Sequence, residues 1–200
     1  MSRWGSMPLW WVNGGRLTEF NAAPGQLGVH ITALKLYLLL AVKVRFETKS
    51  ATLSYSEIEL GLDVSRPMIR PAVDRLVELG LLDVTRGRTN VLTLRWQGEE
   101  RRFAKVPSDL VAALVRELSL RSRTCLAALK LYLYLLNCRD SKSSVARIAH
   151  TTLQEKTGVR PNEIRRGLDH LVNHKMITIM TDAPSGNAGH PVNAYKIRGL

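Results

Sequence analysis

The sequence predicts a mainly α-helical protein with small β-hairpins, an α+β class, in which one structural unit occurs twice. The hexapeptide ALKLYL at residues 33–38 returns at residues 128–133, an offset of 95 residues. The register continues beyond the hexapeptide, since Asp74 corresponds to Asp169 at the same offset. Most segments space their apolar residues as helices do, and short runs with turn residues between them indicate hairpins. A fixed long period indicates a duplicated supersecondary unit.

The offset is close to half of the 200-residue chain, so we predict two domains. Residues 1–98 form the first domain together with an N-terminal hairpin, and residues 99–200 form the second. Further matches at this offset are Leu53 with Ile148, Val64 with Val159, Ile69 with Ile164, Leu76 with Leu171, and Leu81 with Met176.

The composition favours an anionic partner, with nucleic acid ahead of a membrane surface. The chain carries 29 Lys and Arg against 17 Asp and Glu, a net charge of +12, and its isoelectric point is near 10.2. Both halves are basic, and the second half is the more basic. A charge balance of this kind is typical of proteins that bind nucleic acid.

The sequence also predicts a cytoplasmic, nucleoid-associated protein. Cys125 and Cys138 lie within one apolar helical pattern, which favours two small buried side chains over a disulfide or a metal pair. The N-terminus has no apolar run typical of a signal peptide. The longest apolar segment, Ile31 to Phe46, is interrupted by three basic residues and is too short for a membrane span, which needs about 20 apolar residues. We interpret it as a core helix and expect no membrane partner.

The N-terminal elements follow from turn and capping signals. Residues 9–12 and 16–20 flank Asn-Gly-Gly, which predicts a β-hairpin with a type I′ turn. The core helix over residues 31–46 follows a Pro-Gly loop. After a short strand at residues 52–53, Ser54 and Glu57 have the spacing of a capping box and begin a helix that ends at Gly61.

The rest of the first unit is a helix followed by a hairpin. The helix over residues 65–79 buries one apolar face and ends at Gly80. Pro71 lies inside it and predicts a kink or a late start. Strands at residues 81–86 and 91–96 follow. Two helices across a tight turn and then a hairpin form a helix-turn-helix with a wing.

The second unit repeats this plan after a junction. Residues 101–106 are predicted to pair with residues 91–96 as a hairpin, and a helix capped by Ser108 follows, with no counterpart in the first unit. Thr124 and Thr151 are the expected caps of the next two helices. The remaining elements are a strand at 147–149, a helix break at Gly158, a helix from Pro161, and wing strands at 176–181 and 192–197, separated by the long loop 182–191.

Two segments carry a family resemblance, GLDVSR (61–66) and KTGVRP (156–161). Each is followed by an Arg-containing helix that ends in Leu-Val, and then by a strand. The sequence resembles the winged-helix family of DNA-binding domains over about residues 31–96 and 124–198. Two such units in one chain also resemble the tandem winged-helix replication initiators of plasmids and, less specifically, bacterial winged-helix regulators. The resemblance implies two tandem winged helix-turn-helix domains that bind double-stranded DNA.

Candidate DNA contacts lie on the outer faces of the two recognition helices and on the first wing. Arginine can bind guanine through two hydrogen bonds and asparagine can bind adenine, although an arginine can equally contact phosphate or pair within the protein. For the methionine in the set, partial burial is an equal alternative, and for the wing residues a solvated turn is the alternative. The candidates are Ser65, Arg66, Met68, Arg70, Arg75, Arg86, Arg88, Arg160, Asn162, Arg165, Arg166 and His170.

No pattern in the sequence favours catalysis, a cofactor or a metal. His170 and His174 are spaced as metal ligands on a helix, but no third ligand of a suitable type lies nearby. The Gly-rich segment 184–189 lacks the Lys and the following helix of a phosphate-binding loop. We therefore expect a non-enzymatic, sequence-specific DNA-binding protein, with transcription regulation as the leading hypothesis.

Two other functions remain open at this point. One is replication initiation for a plasmid or other mobile element at repeated origin sites, and the other is a protein-protein adaptor. The two units form a covalent pseudo-dimer, and homodimerisation of the chain also remains open.

Overall fold

The computed structural model describes residues 4–45, 47–87, 89–96, 103–180 and 193–200. Helices alternate with small antiparallel sheets, which confirms the predicted α+β class. The first series of elements is β1 (Trp4–Pro8), α1 (Trp10–Asn13), a 3₁₀ helix (Arg16–Glu19), α2 (Leu27–Lys43), β2 (Ser50–Leu53), α3 (Tyr55–Leu62), α4 (Arg66–Glu78), β3 (Leu82–Thr85) and β4 (Asn90–Leu94).

The second series follows the same order, and we refer to the two series as the first and second copies. It consists of β5 (Phe103–Pro107), α5 (Ser108–Glu117), α6 (Arg123–Cys138), β6 (Val145–Ile148), α7 (His150–Thr157), α8 (Pro161–Asn173), β7 (Ile177–Met180) and β8 (Asn193–Ile197). Each copy ends in a three-stranded antiparallel sheet, ordered β2-β4-β3 in the first and β6-β8-β7 in the second.

The two long helices that carry the repeated hexapeptide form the centre of the molecule. Helices α2 and α6 are buried over most of their length and pack against each other. Helix α4 packs on α2, and α8 packs on α6. The buried apolar residues of both copies belong to one continuous core cluster. No helix in the described segments is long and apolar enough to cross a membrane.

The copies contact each other reciprocally. Strand β1 pairs antiparallel with β5, and Ser6 at the centre of β1 lies opposite Lys105 at the centre of β5. Helix α5 of the second copy packs on α3 of the first, while the 3₁₀ helix of the first copy packs on α7 of the second. Reciprocal contacts between like elements are the pattern of a two-fold interface.

Two buried lysines at equivalent positions of the repeat extend this reciprocity. Lys35 Nζ donates a hydrogen bond to the carbonyl of Leu118 at 3.1 Å. Lys130 Nζ donates to the carbonyl of Phe20 at 2.8 Å. The side chains are 1 % and 4 % exposed, respectively. Each amine therefore satisfies a carbonyl in the segment that leads into the other copy's long helix.

The predicted N-terminal hairpin is wrong. Trp10–Asn13 form a short helix and Arg16–Glu19 a 3₁₀ helix, and only Gly15 of this turn has a positive φ. Trp11 and Val12 are both fully buried. Neighbouring side chains of a strand point to opposite faces, so tertiary burial favours the helical turn over the local Asn-Gly signal.

The junction hairpin is also wrong. Strand β4 pairs with β2 on one side and with β3 on the other, so it has no free edge for β5. Strand β5 pairs with β1 instead. Helix α5 does have a counterpart, because α1 and the 3₁₀ helix occupy the corresponding place between β1 and α2.

The capping predictions have mixed outcomes. Ser54 and Glu57 form the expected capping box, and Gly158 ends α7 in the left-handed conformation. Ser122, not Thr124, caps α6, and α7 begins after Ala149, so Thr151 is not its cap. The predicted cap of the helix after the junction is wrong as well, because α5 starts at that serine and follows Pro107. Pro71 does not delay α4, which is continuous over Arg66–Glu78.

Candidate nucleic-acid interface

Helix α8 presents a cationic outer face. Its inner face buries Ile164, Gly167, Leu168 and Leu171 against α6. On the other side Arg165 and Arg166 are exposed, as are Arg160 and Asn162 where the helix begins. The apolar periodicity of the segment therefore fixes which arginines face solvent.

The arginines of this face are not neutralised within the described part of the chain. Arg160, Arg165 and Arg166 form no ion pair with any residue that the structure describes. Asp169 is the exposed acidic residue one turn further along. Three free guanidinium groups near one helix start can bind phosphate oxygens or base edges without first breaking an internal bond.

The equivalent face of α4 is largely occupied by internal bonds. Arg66 pairs with Glu59 at 2.7 Å and donates to Ser56 Oγ at 2.6 Å. Arg75 pairs with Glu78 at 2.9 Å and also donates to the Glu19 carbonyl at 3.1 Å. These internal bonds must be broken before either guanidinium group can bind a nucleic acid.

The remaining candidates of the first copy include both unpaired and ion-paired residues. Ser65 and Arg70 are exposed, and Arg70 forms no ion pair within the described residues. Arg86 lies 3.6 Å from Asp74 of α4. Arg88 and the loop predicted at 182–191 lie outside the described residues.

Met68 belongs to the packed interior more than to an outer face. It is partly buried against the core, and a Cβ built on Gly28 of α2 would lie 2.9 Å from its terminal methyl carbon. Of the two alternatives for Met68, the geometry therefore favours partial burial over a base contact.

His170 is only partly exposed. Its Nε2 lies 3.8 Å from Cys125 Sγ, and its ring centroid is 4.5 Å from that of His174. His174 in turn contacts a carboxylate oxygen of Glu117 at 2.9 Å. Burial, and then the neighbouring His174, lower the pKa of His170, which favours a neutral ring at pH 7. In the described segments no three His, Cys, Asp or Glu side chains are grouped so as to hold a metal ion.

A pocket between the copies was not predicted from the sequence. We call it the inter-copy pocket. Its volume is about 450 Å³, and it is lined by residue 18, residues 20–24, one face of α6, the turn at residues 158–160 and the start of α8. Charged side chains line it, namely Arg123, Lys130, Arg160 and Glu163. Alignment of the two copies gives one sequence signal for this pocket, because Arg123 and Arg160 of the second copy stand where the first copy has Gly28 and Ser65.

A second concavity lies beside α4. This groove of about 820 Å³ is lined by the start of α2 and by the α4 side chains Arg66, Arg70, Asp74, Arg75 and Glu78. Three arginines and two carboxylates line the groove, so it has no strong net charge.

Comparison with known proteins identifies no family. No protein-family model matches the sequence, and no curated protein matches it significantly.

Proposed function

We propose that this chain is a sequence-specific, double-stranded DNA-binding protein that acts as a transcriptional regulator. In this proposal each copy is a winged helix-turn-helix unit. Helices α3 and α4, followed by the β3-β4 hairpin, form the first unit, and α7 and α8, followed by β7-β8, form the second. The repeated element order, the two three-stranded sheets and the basic charge support it.

The unpaired arginines of α8 carry the proposal. A recognition helix in a major groove must place cations toward phosphates and base edges. Arg160, Arg165 and Arg166 are exposed and form no ion pair within the described residues. On this basis the second copy supplies more of the DNA affinity than the first, in which Arg66 and Arg75 are held by carboxylates.

The decisive experiment compares DNA affinity as a function of salt for matched double variants. Selection from random duplexes first supplies a bound sequence. We then expect Arg165→Ala with Arg166→Ala to reduce the magnitude of the slope of log K against log salt by about 2, since each phosphate contact contributes about 0.9. The control is Arg116→Ala with Arg121→Ala, which removes the same charge from exposed residues outside the candidate set.

Two outcomes would contradict the proposal. One is selection that yields no bound duplex, with no salt dependence of binding. The other is an equal effect of the α8 pair and the control pair, because that would indicate only a general loss of positive charge.

Footprinting on the selected sequence then tests the regulatory role. Reciprocal contacts between the copies favour two contact regions on one duplex for each chain. A single such site near a promoter supports regulation. Several directly repeated sites beside an AT-rich segment would instead favour replication initiation.

A further inference from the structure

The inter-copy pocket has the dimensions and position of a small-molecule site. Its volume of about 450 Å³ falls within the range of about 300–1,000 Å³ that is usual for ligand pockets. It lies between the segment that leads into α2, the face of α6 and the start of α8. Ligand pockets are often found at such junctions between structural units.

One lining residue of this pocket is a buried amine without a carboxylate partner among the described residues. Lys130 is 4 % exposed, and the acceptor of its hydrogen bond is the neutral carbonyl of Phe20. It forms no ion pair with a described residue. A buried ammonium with one neutral acceptor is poorly compensated, and an anion in the pocket would supply the missing charge.

Two further cations and one carboxylate complete the lining. Arg123 at the start of α6 and Arg160 before α8 are exposed, and neither is ion-paired within the described residues. Glu163 is partly buried. Burial lowers the pKa of Lys130 to about 8, and the charge of Glu163 opposes this shift. The lining therefore has a net positive charge, with one acceptor for a hydroxyl group.

The equivalent position in the first copy, beside Lys35, is closely packed. There Gly28 replaces Arg123 and Met68 replaces Glu163, and a Cβ on Gly28 would lie 2.9 Å from the methyl carbon of Met68 and 3.6 Å from the Leu120 carbonyl oxygen. The two copies thus share the buried lysine, and in the second copy it borders an open, charged space.

We propose that the inter-copy pocket binds a small molecule that carries a phosphate group and hydroxyl groups, with the phosphate held by Arg123, Lys130 and Arg160. A phosphate of the DNA backbone is a poorer occupant, because it is flanked by sugars and cannot approach a lysine that is 96 % buried in the lining of a concave pocket. Glu163 accepts a hydrogen bond from a hydroxyl group of the ligand.

A regulatory consequence follows, and it rests on the proposed function. Arg160 belongs both to this pocket and to the candidate DNA-binding face. A ligand that engages Arg160 removes it from the DNA, so the occupied protein binds DNA more weakly. The ligand would then act as a negative effector.

The first experiment measures binding of inorganic phosphate by ³¹P NMR titration at constant ionic strength, with chloride as the balancing anion. We expect saturable binding of one phosphate per chain. Arg123→Gln with Arg160→Gln should weaken it at least tenfold, and Lys130→Met should do the same. Lys35→Met is the matched control, because it removes the equivalent buried amine of the other copy and should retain wild-type phosphate binding.

The double arginine variant keeps the test valid if Lys130→Met does not fold, since both arginines are exposed. Phosphate binding that does not saturate, or that survives the double variant, would overturn the proposal.

A second experiment distinguishes phosphate binding in the inter-copy pocket from the proposed DNA binding. DNA affinity should fall in phosphate at fixed ionic strength for the wild type but not for Arg123→Gln. If the chain binds phosphate but no DNA, the proposed function fails and the pocket assignment stands. If free phosphate does not bind, while Arg123→Gln lowers DNA affinity and its salt dependence, the pocket holds a DNA phosphate and the small-molecule proposal is wrong.

Discussion

Lys35 and Lys130 occupy the same position in the two copies of the repeat, and each donates a hydrogen bond to a carbonyl that lies just before the long helix of the opposite copy. The hexapeptide is therefore more than a segment of the scaffold. Its leucines fill the core, while its lysine joins one copy to the other.

This pair predicts an unusual dependence of stability on pH. Burial lowers the pKa of both amines to about 8, whereas an unfolded lysine titrates near pH 10.5. Between those values the unfolded chain binds more protons than the folded chain, so the free energy of unfolding rises with pH. We expect it to increase from pH 8 to 9.5, as measured by urea denaturation.

The control for this experiment is the difference between variants. Lys35→Met should reduce the increase by about half relative to wild type. Staying below pH 9.5 limits the opposing effect of tyrosine ionisation in the unfolded chain. Burial raises the pKa of Cys138, and its effect on stability cancels in the difference between the wild type and the variant. An identical slope in both proteins would contradict the assignment.

A second prediction concerns the hydroxyl groups of two equivalent tyrosines. Trp11 Nε1 donates to the Tyr37 hydroxyl at 2.8 Å in the core, whereas the hydroxyl of Tyr132 has no hydrogen-bond partner among the residues that the structure describes. Removing an acceptor leaves a buried donor unsatisfied, at a cost of about 1–3 kcal/mol. Tyr37→Phe should therefore destabilise the protein by that amount in urea denaturation.

Tyr132→Phe provides the matched comparison. It deletes a hydroxyl that already lacks a partner, so the free energy of unfolding should stay the same or increase. Equal destabilisation by the two substitutions would show that the Trp11 hydrogen bond is not the cause.

A third prediction concerns the close packing of α8 on α6. A Cβ on Gly167 would lie 2.8 Å from Leu131 Cδ1 and 3.2 Å from the backbone nitrogen of Ala128. Backbone cannot move aside without separating the helices, so Gly167→Ala should cost about 1–3 kcal/mol, despite the higher helix propensity of alanine.

Gly61→Ala is its control within a helix of the first copy. The atom that its Cβ would approach is the flexible end of Leu39 at 3.0 Å, which can shift. We expect a much smaller change in the thermal midpoint than for Gly167→Ala. A larger change at Gly61 would contradict this account of the helix contact.

A fourth prediction uses the capping box of α3. Ser54 Oγ accepts from the Glu57 amide at 3.2 Å, and the Glu57 carboxylate accepts from the Ser54 amide at 2.7 Å. The hydrogen bonds that the Ser54 amide and the Ser54 hydroxyl donate to this carboxylate lower the pKa of Glu57. Ser54→Ala should cost about 1 kcal/mol, whereas Thr151→Ala, which lies inside α7, should cost less than about 0.5 kcal/mol.

Much of the fold follows from local signals in the sequence. The capping box at Ser54 and the helix break at Gly158 are each set by neighbouring residues, and the sequence predicts both. The N-terminal segment is different, because burial of Trp11 and Phe20 against α2 overrides its Asn-Gly turn signal. That burial depends on residues far along the chain.

The sequence likewise predicts one part of the candidate site and misses another. Apolar periodicity predicts that Arg165 and Arg166 face solvent, and they do. It does not predict that Arg66 is held by Glu59, or that Arg75 reaches the Glu19 carbonyl 56 residues away. Such partners become neighbours only after folding, so the sequence cannot tell a free arginine from one that is paired.

The pairing of β1 with β5 bears on how the copies came to differ. Two identical units in a homodimer would pair these strands in the same way, and every substitution would then appear on both sides of the axis. Joining the units in one chain removes that constraint. Gly28 packs tightly on one side while Arg123 lines a charged pocket on the other, so one symmetric framework holds two differently built halves.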